Sequence, residues 1–286
     1  MRMTPAGWLL YHLVSPSYRR ACIADLFARE KRASWLADQV RQEIARRYRA
    51  LSDEEKRQWN REIFWGGEAG VNWHSAKKAL HEDPARFQED FLRFRKPLAD
   101  QIAGLVALDP AYHTLCHIGT GNGLFLDHLS RRLPGLKRFV GIDLSAEQIR
   151  INRRQFRGSQ LEFTHAEASD WLRQEGRGGG VICVAVGTLQ YFTPMELADF
   201  LAKVREETGP AAVGISETVN LDLSTAVQSA PRGEIGYSHP YPFIFRSAGY
   251  HLFQQEIRPV DAQIPHYDQM ILVATTQPVP QPALAR

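Results

Sequence analysis

Over the last two thirds of the chain, short apolar runs alternate with stretches in which apolar residues recur at helical spacing. Apolar runs of this length predict strands, and a spacing near 3.6 residues predicts amphipathic helices. The predicted strands cover residues 114–118, 138–142, 161–165, 180–186, 211–216, 251–259 and 268–276. Helical stretches fall between them, for example over 146–156 and 194–207. This alternation predicts an α/β fold, and the continuous apolar run 180–186 is typical of a central strand that is buried on both faces.

The first hundred residues are helical by pattern and rich in charged and aromatic side chains. Residues 19–48 carry apolar positions at helical spacing, and Ser52 with Glu55 forms a capping box that begins the next helix. The pattern breaks at the glycine-rich residues 66–70. Another helix is predicted to begin at Asp83-Pro84 and to run to residue 98.

These patterns divide the chain into three parts. We predict an N-terminal helical region over residues 1–86, an α/β domain over 87–277, and a flexible tail over 278–286 that is rich in Pro and Ala.

Composition agrees with an ordinary globular protein. The 286 residues are 44% hydrophobic and 23% charged, with a net charge of +3. The basic excess lies in the N-terminal region and is more typical of a solvated face than of a nucleic-acid-binding surface. Three scattered cysteines suit neither a disulfide framework nor a cysteine-based metal site. The apolar run 8–14 is too short for a signal peptide, and no stretch is long enough to span a membrane, so we expect a cytoplasmic protein.

The most specific motif lies where the first predicted strand ends. Residues 115–123 read Leu-Cys-His-Ile-Gly-Thr-Gly-Asn-Gly, and a helix pattern follows at once. Alternating glycines let the backbone turn tightly and approach a ligand closely. The second strand ends in Asp143, where an acid can accept hydrogen bonds from a ribose diol. The strand, turn, helix, strand and acid together predict a site for a nucleotide-type ligand.

The glycine spacing distinguishes between cofactors. A dinucleotide-binding turn needs a small residue at the position of Leu124, where leucine would crowd the contact between strand and helix. The Gly-x-Gly-x-Gly pattern instead resembles motif I of the class I S-adenosylmethionine-dependent methyltransferases, over roughly residues 87–277. This resemblance implies a Rossmann-like sheet of seven strands in the order 3-2-1-4-5-7-6, with strand 7 antiparallel. It also implies S-adenosylmethionine as cofactor, no metal, and an N-terminal helical cap that covers the substrate.

The resemblance also implies which residues bind the cofactor. Asp143 would hold the ribose hydroxyls, Leu144 would flank the adenine, and Glu167 would accept from the adenine amino group. Asp170 competes with Glu167 for that role and could equally be a helix N-cap. The full cofactor-binding set lies at the ends of the first four strands: His117, Gly119, Thr120, Gly121, Asn122, Gly123, Asp143, Leu144, Glu167, Ala168, Val186, Gly187 and Tyr191.

His117 departs from the family pattern. The family usually has Glu or Asp at this position of the strand-end motif, where the acid helps to orient the amino group of the cofactor. A neutral imidazole can accept one hydrogen bond but lacks the negative charge that attracts an ammonium. We expect His117 to lie near the amino acid end of the cofactor.

Methyl transfer requires alignment of the acceptor, exclusion of water and, for an alcohol or phenol, removal of a proton. The candidates for the catalytic base are His239, then His74, with Glu217 after strand five as a third. Residues 218–238 have no clear periodicity and resemble a lid. Aromatic loops at 64–75, 188–192 and 237–243 predict the substrate-binding residues Trp73, Gln190, Tyr237 and Tyr241.

Several functions remain open at this level. The leading hypothesis is transfer of a methyl group to O or N of a small molecule in specialised metabolism. The alternatives are a protein or nucleic-acid methyltransferase, and a module that binds the cofactor without methyl transfer. Enzymes that methylate base amino groups typically carry Asn/Asp-Pro-Pro-aromatic after strand four, which residues 187–190 do not match. We expect a small-molecule acceptor and neither nucleic acid nor membrane as partner, with a homodimer left open.

Overall fold

The computed structural model describes residues 5–15, 18–19, 22, 34–67, 70–71, 92–176, 179–232 and 236–279. The described part of the N-terminal region contains three helices: α1 (Pro5–Leu13), α2 (Trp35–Ala50) and α3 (Asp53–Trp59), the last continued by a π-helical turn over Asn60–Phe64. The Ser34 hydroxyl caps α2 by accepting from the backbone N–H of Ala37. The predicted capping box is confirmed, because the Glu55 carboxylate accepts from the Ser52 N–H at 2.7 Å.

The N-terminal helices enclose a small apolar core of their own. Its buried members include Val40, Ile44, Tyr48 and Phe64. Of the helix predicted over 19–48, the part from Trp35 onward is confirmed, and most of residues 19–33 lie outside the described residues.

The other α-helices among the described residues are α4 (Lys96–Leu108), α5 (Leu124–Arg132), α6 (Ala146–Gln155), α7 (Ala168–Glu175), α8 (Pro194–Glu207) and α9 (Tyr241–Ser247). The helix predicted to run from Pro84 to residue 98 is corrected at its end: residues 93–95 form a turn and α4 begins at Lys96. Pro97 suits this start, because proline is favoured in the first turn of a helix, where its missing N–H leaves no intrahelical hydrogen bond unmade.

Nine strands are described: β1 (Thr114–Ile118), β2 (Arg138–Asp143), β3 (Leu161–His165), β4 (Val181–Val186), β5 (Ala211–Asn220), β6 (Ala230–Arg232), β7 (Gly236–Ser238), β8 (His251–Pro259) and β9 (Tyr267–Thr275). Seven of them form one sheet in the order β3-β2-β1-β4-β5-β9-β8. The first five strands of this sheet are parallel, and β9 lies antiparallel between β5 and β8. The predicted fold and strand order are therefore confirmed.

Helices cover both faces of the sheet. One face packs apolar residues of α7, α8 and α9 against the strands, and the other packs α4, α5 and α6. Residues 181–185 of β4 are buried, as expected for a central parallel strand. With both faces occupied, the ends of the strands are where a ligand can reach this domain.

The segment predicted to be a structureless lid, residues 218–238, is corrected by the structure. Strand β5 continues to Asn220, which pairs with Tyr267 of β9. Further along, β6 and β7 pair with each other as a separate two-stranded sheet. Three-residue strands are too short to give a detectable alternation in sequence, and the extension of β5 depends on its distant partner β9.

Candidate functional site

The glycine-rich turn joins β1 to α5 and contains three residues with positive φ. These angles are +64° at Gly119, +54° at Gly121 and +76° at Gly123, a region that residues with a Cβ rarely adopt. A Cβ on Gly119 would lie 2.6 Å from the Thr188 hydroxyl oxygen, and one on Gly123 would lie 2.7 Å from the Phe156 ring. The turn therefore needs glycine both for its backbone conformation and for its close packing.

We expect Gly119→Ala to lower the free energy of unfolding by about 2–5 kcal/mol, since left-handed strain and a steric clash add. Gly158→Ala is the matched control, because Gly158 also has positive φ, +82°, but no heavy atom within 4 Å of its Cβ position. That control should cost only about 1–2 kcal/mol. Chemical denaturation of both variants measures the difference, and equal losses would contradict the packing argument.

Asp143 at the end of β2 is tied directly to this turn. Its side chain is 6% exposed, and its two carboxylate oxygens accept from the N–H groups of Gly121 at 2.9 Å and Ser145 at 3.0 Å. Each oxygen keeps capacity for a further donor. The structure therefore brings Asp143, the predicted acceptor for the ribose hydroxyls, and the glycine turn together at one sheet edge.

Two further residues support the turn and were missed in the sequence. The Asn152 amide donates to the Gly121 carbonyl at 2.7 Å, and the Gln148 amide donates to Asn152 at 2.8 Å. Both side chains are buried on α6. In the sequence, Gln148 and Asn152 are visible only as two polar residues four positions apart in a helix that also carries the buried Ile149. Such a pair does not indicate which backbone group the side chains bind.

His117 lies on β1, two residues before Gly119. Its side chain is 3% exposed, its Nδ1 lies 3.2 Å from the Thr120 hydroxyl, and its ring meets Phe125 edge-on. Its Nε2 has no hydrogen-bond partner within the described part of the chain. Burial, together with the positive charge of Arg95, lowers the pKa of His117 to about 3, so the imidazole is neutral at physiological pH.

The turn after β4 is held by Glu217 of β5. The fully buried carboxylate accepts from three consecutive backbone N–H groups, those of Thr188 at 2.8 Å, Leu189 at 2.9 Å and Gln190 at 3.4 Å. Burial raises the pKa of Glu217 to about 7, and these hydrogen bonds oppose the rise. The turn thereby gains a fixed shape from a residue on the neighbouring strand.

The turns after β1 and β4 also contact each other. The Thr188 hydroxyl donates to the Ile118 carbonyl at 3.2 Å, and the Gln190 amide donates to the Gly187 carbonyl at 2.8 Å. Val186 is the last residue of β4 and is half-buried, like Gly187. The two predicted segments, at the ends of β1 and β4, thus lie next to each other.

His239 has both ring nitrogens engaged. Nδ1 lies 2.8 Å from the Ser229 hydroxyl, and Nε2 lies 3.1 Å from the Phe192 carbonyl, which can only accept. Nε2 therefore carries the proton and Nδ1 accepts from Ser229. Burial lowers the pKa of His239 to about 4. In this arrangement neither ring nitrogen is free to take a proton from the methyl acceptor, which disfavours the predicted role of His239 as catalytic base.

Tyr237 and Tyr241 flank His239. The Tyr237 ring stacks at 5.7 Å and the Tyr241 ring meets His239 edge-on at 5.4 Å, measured between centroids. Tyr241 is fully buried, and its hydroxyl has no hydrogen-bond partner among the described residues. These two predicted substrate-binding residues lie together with His239.

The residues predicted around the adenine lie after β2 and β3. Leu144 is half-buried, and its carbonyl lies 3.0 Å from Nε2 of His165. Glu167 is half-buried at the N-cap of α7, a position that Asp170 does not occupy. Ala168 is the first residue of α7 and is buried in the core. Asn122, from the glycine turn, uses its side-chain oxygen to accept from the N–H of Leu124 at 3.2 Å.

The N-terminal region contacts the turn after β4 through aromatic rings. Trp65 lies 4.8 Å from Tyr191, measured between ring centroids. Tyr191 also packs against the apolar core of the N-terminal helices. Trp73 and His74, predicted for this same neighbourhood, lie outside the described residues.

Three further features concern metal binding, membrane spanning and a surface groove. No group of three or more His, Cys, Asp or Glu residues within the described ranges is arranged to hold a metal ion. Among the helices that the structure describes, none is long and apolar enough to cross a membrane. A groove of about 790 Å³ lies between α4 and β8, lined by Lys96, Asp100, Gln254, Glu256 and other residues, and it contains none of the predicted site residues.

Comparison with known proteins is consistent with this geometry. Residues 116–210 match a family described as a methyltransferase domain, a span that contains the glycine turn, Asp143 and β4. No curated protein showed significant similarity to the chain.

Solved structures of low sequence identity also match the chain. Magnesium protoporphyrin IX methyltransferase from Synechocystis PCC 6803, with S-adenosylhomocysteine bound, is 15% identical with a TM-score of 0.47, over 67% of this chain and 87% of that one. The 1,6-didemethyltoxoflavin N1-methyltransferase of Burkholderia thailandensis, with its substrate and S-adenosylhomocysteine bound, is 16% identical with a TM-score of 0.47, over 73% and 89%. Residues 116–210 are therefore similar to a methyltransferase domain, and the sheet has the strand order of a Rossmann-like methyltransferase fold.

Proposed function

We propose that this protein transfers a methyl group from S-adenosylmethionine to an oxygen or nitrogen of a small molecule. The observation that carries the proposal is the hydrogen bond from the Gly121 N–H to the buried Asp143 carboxylate. It joins a left-handed glycine turn to a ribose acceptor at the carboxyl ends of two parallel strands, where α/β sheets bind nucleotide-type ligands.

The residues present suit this cofactor. Asp143 has the acceptor capacity that a ribose diol needs, and the turn over 119–123 lets the backbone approach a ligand closely. The buried Nε2 of His117, which has no hydrogen-bond partner among the described residues, is a polar atom that a ligand can satisfy. Leu144, Glu167 and Ala168 would then border the adenine, and Val186, Gly187 and Tyr191 would border the reacting end.

When bound, the cofactor supplies an activated methyl group on a sulfonium. The protein must align the acceptor with that group and exclude water. Glu217 keeps the turn after β4 in one shape through three N–H groups. The Trp65–Tyr191 contact places the N-terminal region against the same turn. We therefore propose that residues 1–86 form a cap over the site.

A small acceptor is favoured by the aromatic surroundings. Tyr191 packs against Trp65, and the Tyr237 ring of β7 stacks on His239, which Tyr241 meets edge-on. Walls of this kind suit a planar or apolar molecule better than a phosphate backbone. The cap and these rings are the features that favour a small molecule over a protein or nucleic acid.

We expect His239→Ala to lower the free energy of unfolding by about 2–4 kcal/mol, because the Phe192 carbonyl and the Ser229 hydroxyl lose their buried partner. His239→Gln, which can still donate to the Phe192 carbonyl, should recover part of that loss. Turnover per folded molecule should change little in either variant. If both variants are fully folded and turnover falls by about 10²-fold or more, His239 is a general base after all.

The proposal is tested by ligand binding followed by a transfer assay. Calorimetry should show binding of S-adenosylhomocysteine with a Kd in the micromolar range, as an order of magnitude, and no binding of nicotinamide dinucleotides. Transfer of labelled methyl groups should then be screened on phenols, alcohols, amines, bulk tRNA and cellular protein. Labelling restricted to protein or RNA would overturn the small-molecule proposal, and preferential binding of a nicotinamide dinucleotide would overturn the cofactor assignment.

A further inference from the structure

Side chains from two different elements hold Gly121, the middle glycine of the turn after β1. Its N–H donates to Oδ2 of Asp143 at 2.9 Å, and its carbonyl accepts from Nδ2 of Asn152 at 2.7 Å. Asp143 ends β2, whereas Asn152 lies on α6. Because both peptide groups that flank the Gly121 Cα are bound, the left-handed conformation of this residue is fixed from both sides.

These two hydrogen bonds belong to a closed ring. The Ser145 N–H donates to Oδ1 of Asp143 at 3.0 Å, and the Ser145 hydroxyl accepts from the backbone N–H of Gln148 at 3.2 Å. The Gln148 side chain then donates to Oδ1 of Asn152 at 2.8 Å, and Asn152 leads back to Gly121. The four side-chain-bearing residues are at most 6% exposed, so water cannot readily replace a lost member.

The direction of each amide in this ring follows from its partners. The Gly121 carbonyl can only accept, so Asn152 presents its NH₂ group to it and turns its oxygen toward Gln148. That oxygen requires a donor, so Gln148 presents its NH₂ group as well. Its own oxygen, Oε1, is therefore the atom left over, and it is buried without a hydrogen-bond partner among the described residues.

This unpaired oxygen indicates that stability alone does not account for the ring. A buried acceptor without a partner is costly, and an apolar side chain of similar length at residue 148 would avoid that cost. The ring also immobilises the Asp143 carboxylate, because each of its two oxygens accepts one hydrogen bond and rotation would break both. The free lone pairs of this carboxylate consequently have fixed directions.

From this closed ring we infer that Gln148 and Asn152 are positioning residues for the cofactor. They hold the Gly121 carbonyl and, through Gly121, the orientation in which Asp143 meets the ribose hydroxyls. The inference rests on the proposed function, because it concerns the same cofactor. A carboxylate that is already oriented loses less conformational freedom when the ligand binds, so the ring increases affinity without touching the ligand.

Calorimetric titration of the full-length protein with S-adenosylhomocysteine tests the inference. Asn152→Ala should weaken binding at least about 10-fold, because the Gly121 carbonyl loses its side-chain donor. Tyr250→Phe is the matched control, since it also removes a buried side-chain hydrogen bond to a backbone carbonyl, that of Leu201, outside the predicted site. The control should lower the unfolding temperature and leave the Kd unchanged. An unchanged Kd in folded Asn152→Ala would overturn the inference, whereas absence of binding to the wild type would contradict the proposed function.

Replacing Gln148 by methionine separates positioning from stability. The variant removes the unpaired Oε1 but leaves the Asn152 oxygen without its donor, so the unfolding temperature should change little while the Kd rises about 3–10-fold. Gln148→Glu places a second acceptor against that oxygen and should weaken binding further. A wild-type Kd in Gln148→Met would overturn the inference, and this measurement remains decisive if Asn152→Ala does not fold.

A double-mutant cycle determines whether the effect passes through Asp143. In the Asp143→Ala background, the further change Asn152→Ala should weaken binding by less than about 3-fold, because the carboxylate that the ring orients is already gone. A purely structural role for Asn152 predicts no such dependence. Losses that add fully in the double variant would show that Asn152 acts independently of Asp143 and would contradict the inference.

Discussion

Replacing Asp143 by alanine is expected to weaken S-adenosylhomocysteine binding by about 10²-fold or more. A ribose diol would lose a charged acceptor, and hydrogen bonds to charged groups contribute about 1.5–3 kcal/mol each. The Gly121 and Ser145 N–H groups would lose their acceptor as well, which loosens the glycine turn. Calorimetric titration measures the change in Kd.

Two controls separate these contributions. Asp143→Asn keeps one acceptor oxygen, so it should bind with an affinity between the wild type and the alanine variant. Glu175→Ala removes an acid at the far end of α7 that pairs with Arg138, and it should leave the affinity unchanged. An unchanged Kd in Asp143→Ala would mean that the ribose is held elsewhere.

Replacing Glu217 by alanine is expected to lower the free energy of unfolding by about 3–5 kcal/mol, because the N–H groups of three consecutive residues lose their buried acceptor and each unsatisfied group costs about 1–3 kcal/mol. The turn over 188–190 should lose its fixed shape, so acceptor turnover should fall even below the unfolding temperature. Chemical denaturation and the transfer assay measure the two effects. Ordinary stability in Glu217→Ala would show that the turn is held mainly by its other contacts.

The Glu217 carboxyl group also makes the stability of the protein depend on pH. Its pKa is raised to about 7 in the folded protein, from an ordinary value of 4.5, so the folded state binds this proton more tightly. The resulting stabilisation is fully present below pH 4.5 and is lost as the pH rises through about 7. Glu217→Gln cannot titrate, so its curve of unfolding free energy against pH should lack that decline.

The quantity to compare is the difference in unfolding free energy between the wild type and Glu217→Gln at each pH. His239, with its pKa lowered to about 4 from 6.5, acts in the opposite direction, because its stabilising contribution is lost as the pH falls from 6.5 toward 4. Subtracting the Glu217→Gln curve from the wild-type curve removes this shared histidine contribution. A difference that does not vary between pH 4.5 and 7 would contradict the raised pKa.

The predictions that succeeded depended on local patterns. The run over 180–186 is apolar because β4 is buried on both faces, and the helix predicted over 194–207 is bounded by a proline at its start and matches α8. The three glycines were identifiable because positive φ excludes most other residues. Asp143 was identifiable as the acid in which a predicted strand ends, and its role toward a ribose stays a prediction.

The sequence by itself therefore determined the sheet order, through its resemblance to a known family, and the place of the glycine turn and its acid. Only the tertiary structure decided what the polar side chains do. In the folded protein both ring nitrogens of His239 are hydrogen-bonded, one to Ser229 and the other to Phe192. The Glu217 carboxylate accepts from backbone N–H groups around residue 189. The physical reason is that parallel strands gather their carboxyl ends at one edge, so residues far apart in the chain compete there for the same hydrogen-bond partners, and that competition leaves no periodic signal in the sequence.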